Sequence, residues 1–452
     1  MLPIVITSLL EGRAITGGVR RKIVYPYSGQ SPSFLEYARN VSISQFEGVR
    51  NLSAFRSELL AVASVFRSRL DAGENTILSD VAQETGSPVY YHLEDLKASQ
   101  RFLDKLSYLE KFFPKKYITE PKGNVLLILS ANEPVIITTI LVFSALFIGN
   151  TVFVKPSAKT PSYGYFLVKE LAKIPLLKRR VHYLLTDKKE TKHLIMSKSF
   201  DFVLSFGSRA TSKKLGILCA NSEVEFLQES EGNDWVYVDK KCDSLDKISK
   251  TIVESFTRHN GQMCNSVRGV MIHSSIYDKF VERVKGRIST LPIGSPSLLN
   301  SRIGALILGT SIRANALVNE AAAKAENVWN FSTKDNVVPP ALILNPDDRS
   351  FIILESIFAP ILWVKKVENH LEAISFYHKK NKHGLSFSVF SRNEEVVDDF
   401  IRHIRAGRIN INKHPLKNRL WEPLGGIRLS GYGGPKYWVE KLSNRKYINR
   451  KP

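Results

Sequence analysis

Cys264 lies in a polar, glycine-containing segment, residues 258–268, whose composition suits covalent chemistry. The chain has three cysteines, and the other two, Cys219 and Cys242, lie in mainly apolar or charged segments. A thiol presented by a polar turn can ionise, and the thiolate is the reactive nucleophile. A single cysteine in an intracellular protein is more often inert than catalytic, so other residues must support a catalytic role.

Four other polar positions carry groups that such a nucleophile needs. Asn132 follows a strand-like run, where its amide can donate to an oxyanion, and Lys155 follows another, where it can hold a ribose or phosphate. Gly207-Ser208 precedes a helix-like segment and suits a pyrophosphate. Glu229 can activate water as a general base. Each position also has a structural interpretation without function. Asn132 can be a turn residue and Lys155 a solvated lysine. Gly207-Ser208 can be a short turn, and Glu229 can belong to an exposed acidic cluster.

The order of apolar runs predicts the elements that position these residues. In the first half, short buried-strand runs alternate with helix-like stretches, which indicates βαβ units and a doubly wound sheet. The strands are expected at residues 124–130, 151–154, 181–185 and 202–206, and the helices at 53–70, 93–109, 135–147 and 163–171. A second α/β block is expected from Gly232, with strands at 235–238, 386–390 and 407–411 and helices at 245–257 and 394–404.

Three longer runs give the chain a family resemblance. They are Gly149 to Ser157, Asn260 to Cys264 and Pro423 to Gly433, and residues 384–390 and 406–412 support them. In combination and in this order, they resemble the NAD(P)-dependent aldehyde dehydrogenase superfamily. The resemblance extends from about Pro121 to the C-terminus.

The resemblance implies an α/β fold with three parts. A Rossmann-type cofactor-binding domain is expected over residues 1–230, and an α/β catalytic domain over residues 231–425. A small β oligomerisation element would combine residues 110–123 with a C-terminal segment, residues 426–452. The protein is therefore expected to be a homodimer or homotetramer.

The resemblance also implies a role for each site residue. Cys264 would attack the aldehyde, Asn132 and the Cys264 backbone N–H would stabilise the oxyanion, and Glu229 would activate water to hydrolyse the thioester. The residues expected to bind NADP or NAD are Lys155, Ser157, Gly207, Ser208, Ser356 and Phe358. The expected product is a free carboxylic acid.

Three positions depart from the family pattern. The glycine pair after the general base reads Glu231-Gly232, so Glu231 is an alternative base. The family's Glu-x-Phe-Gly-Pro begins here with Ser356, and its nicotinamide-ribose glutamate is displaced to Glu355. The adenosine-ribose glutamate of NAD-preferring members is replaced by Ala158, followed by Lys159. Without that carboxylate a 2′-phosphate is tolerated, so NADP is expected to be accepted.

Two other functions stay open. A CoA-linked aldehyde dehydrogenase, or an acyl-CoA or acyl-phosphate reductase of the same superfamily, would release the acyl group to a different acceptor. A catalytically silent scaffold or RNA-binding protein is the alternative of another class. Only the net charge of +21, with a pI of about 9.7, supports it.

Composition limits the remaining classes. A chain of 452 residues with 43% hydrophobic and 24% charged residues is expected to form two or three globular domains. The basic charge favours anionic partners, such as nucleotide cofactors or an anionic aldehyde, but no nucleic-acid-binding module accompanies it. The cysteine spacings indicate neither disulfides nor a metal site, and a reducing compartment, the cytoplasm, is expected. The most apolar run, residues 135–148, is shorter than the roughly 20 residues of a membrane span.

Overall fold

A computed structural model describes residues 5–449, except Gln30, Pro32, Pro114, Lys115 and Asn418, and leaves undescribed the side chains of residues 71–75. The expected oligomerisation segments therefore include five residues outside the described part: Pro114, Lys115, Arg450, Lys451 and Pro452. No helix in the described ranges is both long and apolar enough to cross a bilayer.

The strands, in chain order, are β1 (Val5–Leu10), β2 (Arg13–Ile15), β3 (Val19–Lys22), β4 (Phe34–Tyr37), β5 (Tyr117–Pro121), β6 (Asn124–Ile128), β7 (Thr151–Lys155), β8 (Val181–Tyr183), β9 (Phe202–Phe206), β10 (Glu225–Glu229), β11 (Asp234–Val238), β12 (Val267–His273), β13 (Asn327–Trp329), β14 (Ala341–Leu344), β15 (Ile361–Val367), β16 (Ser386–Phe390), β17 (Arg408–Ile411) and β18 (Ser443–Tyr447).

The α-helices are α1 (Leu52–Thr85), α2 (Val89–Leu103), α3 (Pro134–Ile148), α4 (Ser162–Leu171), α5 (Lys188–Met196), α6 (Arg209–Asn221), α7 (Leu245–Thr257), α8 (Tyr277–Ile288), α9 (Thr310–Ala322), α10 (Phe351–Leu354), α11 (His370–Lys380), α12 (Glu394–His403) and α13 (Trp438–Lys441). Short 3₁₀ segments lie at Leu106–Phe112, Arg258–Gly261, Ser274–Ile276 and Arg428–Ser430.

The first sheet has the order β10-β9-β6-β7-β8-β1-β4-β3, and β2 pairs with β1. Strands β10, β9, β6, β7 and β8 are parallel neighbours, so their carboxyl ends form one edge. Strands β6, β7 and β9 are short apolar runs because helices cover both faces of such a sheet. Between β6 and β7, α3 is buried around nearly all its circumference, and it ends at Gly149, whose φ of +99° is the left-handed C-cap conformation.

The second sheet has the order β13-β14-β15-β12-β11-β16-β17, and only β13 is antiparallel to its neighbour. Its apolar core packs on both faces, which matches the second α/β block expected from Gly232. A separate two-stranded ribbon pairs β5 with β18, with Tyr117 opposite Tyr447 and Pro121 opposite Ser443. The domain boundaries at residues 230 and 425 and the oligomerisation role of the ribbon stay predictions.

The N-terminal region differs from the prediction. Residues 5–37 form β1 to β4, whereas only helices were expected before residue 110. Strands β2 and β3 are largely exposed and carry Arg13, Arg20, Arg21 and Lys22, so they lack the apolar alternation by which strands are recognised. The first helix also continues to Thr85, well beyond the expected end at residue 70.

Candidate active site

A cavity of about 460 Å³ lies at the edge formed by the carboxyl ends of β6, β9 and β10. It is the place where parallel α/β sheets bind ligands. The structure brings together around it most of the residues singled out from the sequence: Asn132, Gly207, Ser208, Glu229, Cys264, Ser356 and Phe358. Lys155 and Ser157 are not among the residues that line it.

The loop that carries Cys264 has an uncommon backbone. After α7, His259, Asn260 and Gly261 adopt left-handed φ angles of +50°, +58° and +68°. At Gly261 a β-carbon would lie 2.3 Å from the carbonyl oxygen of Ala359, so only glycine fits there. Such a backbone persists only where the surroundings fix it.

Two side chains of this loop supply that fixation. The Asn260 amide donates to the carbonyls of Gly86 and Ala305, at 3.0 and 2.7 Å, and its oxygen accepts from Gly304 N at 2.9 Å. The oxygen of Gln262 accepts from Ile307 N at 2.8 Å. Both side chains are buried, so the loop is held by directional bonds shielded from water.

Cys264 is half-buried at the cavity wall. Burial raises the pKa of its thiol well above the ordinary range, the carboxyls of Glu133 and Asp234 raise it further, and Arg268 opposes them. The guanidinium of Arg268 donates to the carbonyls of Gly261 and Met263, at 2.5 and 2.7 Å. The thiol is therefore protonated at neutral pH, and its activation requires a nearby proton acceptor.

Glu133 is a buried carboxyl that the sequence interpretation overlooked. It follows Asn132, whose side-chain nitrogen donates to it at 3.3 Å, and both residues line the cavity. Burial raises the pKa of Glu133 to about 8, with a contribution from Asp95 and opposition from Arg258. A glutamate before a proline reads as an ordinary turn residue, so no signal in the sequence indicated its burial.

We expect the Glu133→Gln variant to gain stability at high pH. A carboxyl whose pKa is raised by folding favours the native state below its unfolded pKa of 4.5, and this contribution is lost as the pH rises through 8. Thermal and denaturant unfolding should therefore find nearly equal stability at pH 5, and a variant more stable by about 4 kcal/mol at pH 9. Cys264 should also be alkylated faster in the variant at pH 9, because one carboxylate that opposes its ionisation is gone.

The exposed Glu58→Gln substitution is the matched control and should alter neither property. Equal pH dependence of stability in Glu133→Gln and the unsubstituted protein would contradict the buried titration.

Glu229 ends β10 and is paired with Lys441 of α13 in a buried ion pair. The Lys441 side chain is fully buried and that of Glu229 is 7% exposed. Burial lowers the pKa of Lys441 to about 7. At Gly425, with φ +126°, a β-carbon would lie 2.8 Å from Glu229 Oε1 and 2.9 Å from Lys441 Nζ, so this glycine makes room for the pair. Lys441 was not predicted, because it lies in a basic C-terminal segment that reads as solvated.

Glu231 also lines the cavity but has different partners. Its carboxylate accepts from the backbone N–H of Arg209, at the start of α6, at 3.1 Å and from the Ser230 hydroxyl at 3.0 Å. A carboxylate at a helix N-terminus is stabilised by the helix dipole. Glu231 is thus directed to α6, whereas Glu229 is directed to Lys441.

Four of the six residues predicted to bind a dinucleotide lie at the start of α6 (Gly207 and Ser208) and at or just after the end of β7 (Lys155 and Ser157). Ser208 is the N-cap of α6, and a β-carbon on Gly207 would meet nothing within 4 Å, so the space above it is open. Lys155 ends β7, and burial lowers its pKa to about 8. These residues fit the phosphates and ribose of NAD(P). A pyrophosphate at α6 requires the Glu231 side chain to turn aside.

The nicotinamide-side residues are arranged differently from the family pattern. The Ser356 hydroxyl donates to the carbonyl of Gly232 at 2.6 Å, and Glu355 is bound to Arg313 at 2.8 Å. The ring of Phe358 lies 5.1 Å from the guanidinium carbon of Arg268. Ser356 thus supports the loop against which Cys264 packs, since Gly232 N also donates to the Cys264 carbonyl at 3.0 Å. Its contact with a ribose stays a prediction.

Comparisons with known proteins identify the relatives of this chain. The family model described as "Aldehyde dehydrogenase family" matches residues 93–449. A lactaldehyde dehydrogenase from Methanococcus vannielii is 26% identical over 432 residues, which are 91% of this chain and 91% of the relative. An NADP-dependent glyceraldehyde-3-phosphate dehydrogenase from Streptococcus equinus is 27% identical over 333 residues, 72% of this chain and 69% of the relative. The crystal structure of aldehyde dehydrogenase 21 from Physcomitrella patens has a TM-score of 0.89 at 18% identity and covers 99% of this chain and 98% of that chain.

Proposed function

The chain belongs to the aldehyde dehydrogenase family, and from this premise we propose that Cys264, Asn132 and Glu229 carry out the NAD(P)-dependent oxidation of an aldehyde to a carboxylic acid. Aldehyde oxidation with NAD or NADP, through a cysteine, is the activity of the family. The observation that supports these residues is their common position around one cavity, with open space at the start of α6 for a cofactor.

In this proposal the Cys264 sulfur, once deprotonated, bonds to the carbonyl carbon and the carbonyl oxygen becomes an oxyanion. The Asn132 amide and the Cys264 backbone N–H donate hydrogen bonds to that oxygen. When bound, NAD(P) supplies the acceptor for the hydride that leaves the carbon. The acyl group is then a thioester on Cys264, and water attacks it to release the acid and return the thiol.

The contacts of the two carboxylates support Glu229 over Glu231 as the base for that water. The Glu231 carboxylate already accepts two hydrogen bonds, from Arg209 N and the Ser230 hydroxyl. Glu229 instead pairs with the Lys441 ammonium, and this buried pair holds its side chain at the wall of the cavity that Cys264 also lines.

The test of the hydrolytic function is NAD(P)H formation with a panel of aldehydes. We expect turnover with aldehyde alone and a free acid as the product. Turnover that requires added CoA or phosphate would instead identify the acyl-transferring alternative. Salt-sensitive binding of nucleic acid without cofactor binding would favour the silent scaffold or RNA-binding protein.

We expect NADP to be used at least as well as NAD. Position 158 is alanine, and the exposed Lys159 lines the cavity, where its ammonium donates to the Leu308 carbonyl at 2.7 Å. A Lys159→Glu substitution should lower kcat/KM for NADP about 10-fold or more and change that for NAD much less, because the new carboxylate repels a 2′-phosphate. The exposed Lys250→Glu substitution on α7 controls for net charge. A strong preference of the unsubstituted protein for NAD would contradict this prediction.

The substrate is an aldehyde, and we propose an anionic one. The cavity wall includes Lys159 and Arg313, and although Arg313 is paired with Glu355 and the wall also carries Glu229 and Glu231, Lys159 makes its hydrogen bond to a neutral carbonyl. The carboxyl of Glu133, with a pKa of about 8, is mainly neutral at pH 7 and does not repel an anion. We propose neither a membrane nor a nucleic acid as a partner. We propose a cytoplasmic location, because the three cysteines are free thiols and free thiols persist in reducing compartments.

The ribbon of β5 and β18 supports the proposal of a homodimer or homotetramer. Its exposed side chains include Tyr117, Ile118 and Tyr447, which are 41%, 45% and 65% exposed. Exposed apolar side chains on a two-stranded ribbon are typical of surfaces that a partner covers. Light scattering with size-exclusion chromatography would measure the oligomer size.

A further inference from the structure

Three metal-ligating side chains meet in the interior, outside the cavity of Cys264. His92 and Asp95 lie on α2, and His259 lies in the left-handed turn that leads to Cys264. All three are buried, at 0%, 5% and 0% exposure. One nitrogen of each histidine and one oxygen of Asp95 lie within 4.8 Å of one another.

Each of these residues also has a hydrogen-bond partner outside the cluster. His92 Nε2 is 2.8 Å from the hydroxyl of Thr85, and His259 Nδ1 is 2.9 Å from the hydroxyl of Ser87. Asp95 Oδ1 accepts from Arg258 at 3.4 Å. Hydrogen bonds to the outer atom of a ligand are the arrangement by which proteins fix metal-binding histidines.

The remaining polar atoms of the three side chains are also buried. His92 Nδ1 makes no hydrogen bond, and His259 Nε2 lies 3.1 Å from Asp95 Oδ2, a contact that is a hydrogen bond only when that nitrogen carries a proton. Buried polar atoms without partners are rare and costly, and an ion that they coordinate removes that cost. The positive charge of Arg258 is balanced by its contacts with Glu94 and Asp95, so it does not exclude a cation.

We propose that His92, Asp95 and His259 bind one divalent transition-metal ion of the Zn²⁺ class. Two imidazoles and one carboxylate form a ligand set that Zn²⁺ and its neighbours accept, with bonds of about 2.0–2.2 Å. Ligand atoms of one tetrahedral ion are about 3.4 Å apart, so the three atoms, which lie within 4.8 Å of one another, would move together by up to about 1.4 Å on binding. The ion joins α2 to the turn five residues before Cys264. It thereby fixes the loop that carries Cys264 at a point outside the active-site cavity.

The test is titration of the EDTA-treated, full-length protein with Zn²⁺, followed by calorimetry and by competition with a chromophoric chelator. A Cys264→Ala background removes the active-site thiol as a competing ligand. We expect one equivalent to bind, and His92→Gln and His259→Gln each to weaken binding at least about 100-fold. His370→Gln is the matched control, because His370 also pairs with an aspartate, Asp399, at a half-buried position outside the cluster and should leave binding unchanged.

A milder variant covers the case in which the ligand substitutions prevent folding. Ser87→Ala leaves all three ligands in place and removes the hydroxyl that orients His259, so it should weaken Zn²⁺ binding about 10-fold or more. When Co²⁺ is bound in place of Zn²⁺, the protein should show a visible absorption spectrum typical of nitrogen and oxygen ligands. This spectrum should differ between the Ser87→Ala variant and the protein without that substitution. Absence of stoichiometric binding, or binding and a Co²⁺ spectrum that Ser87→Ala leaves unaltered, would overturn the proposal.

Discussion

The Cys264→Ala variant is expected to lose aldehyde oxidation, with kcat/KM reduced at least about 10³-fold. The reason is chemical, because without the sulfur no thioester forms. The fold should be unaffected, since Asn260 and Gln262 hold the loop through hydrogen bonds in which the thiol takes no part. NAD(P)H absorbance measures the loss, and thermal unfolding and cofactor binding measure what is retained.

Cys242→Ala is the matched control, because this half-buried cysteine lies in the second sheet's core region and does not line the cavity. It should keep full activity in the same NAD(P)H assay. Retained turnover in Cys264→Ala would refute the assignment of Cys264 as the nucleophile.

The Lys441→Met variant is expected to be destabilised by about 3–5 kcal/mol, because it leaves the Glu229 carboxylate buried without its partner. The double variant Glu229→Gln/Lys441→Met should recover most of that loss, since a neutral amide beside an apolar side chain no longer carries an unpaired charge. Denaturant unfolding of the four proteins in this cycle measures the coupling.

Lys198→Met tests whether the loss is specific to the buried pair. Lys198 also pairs with a glutamate, Glu223, but in an exposed ion pair outside the ribbon, and exposed pairs contribute little. We expect its stability to stay close to that of the unsubstituted protein. If Lys441→Met were as stable as the unsubstituted protein, the ion pair with Lys441 would not be what stabilises the buried Glu229 carboxylate.

The sequence predicted the central sheet because its strands must be apolar. Strands β6, β7 and β9 lie between helices, so each is a short apolar run followed by polar residues at the ligand-binding edge. Asn132, Gly207 and Ser208 could therefore be selected from the sequence, and they do line one cavity. The exposed N-terminal strands β2 and β3 lack that pattern and were missed.

The residues that were missed in the site depend on contacts between distant segments. Lys441 meets Glu229 across 212 positions, and nothing near Lys441 marks it as buried. His259 meets His92 in the same way, so no metal-ligand spacing exists in the sequence for a reader to find. Such groups become visible only after the two sheets and α2 are packed together.

The bonds from Asn260 and Gln262 also connect the nucleophile loop to a stretch of irregular chain. The N–H groups of Gly304 and Ile307 donate hydrogen bonds to the side-chain oxygens of Asn260 and Gln262, respectively. Between them, the N–H group of Ala305 donates to the carbonyl of Gly86. Loop amides normally exchange with solvent deuterium quickly, but these are bonded and buried as in a helix interior. Deuterium uptake at the amides of Gly304 and Ile307 therefore reports on the loop of Cys264, because it accelerates when their bonds to Asn260 and Gln262 open.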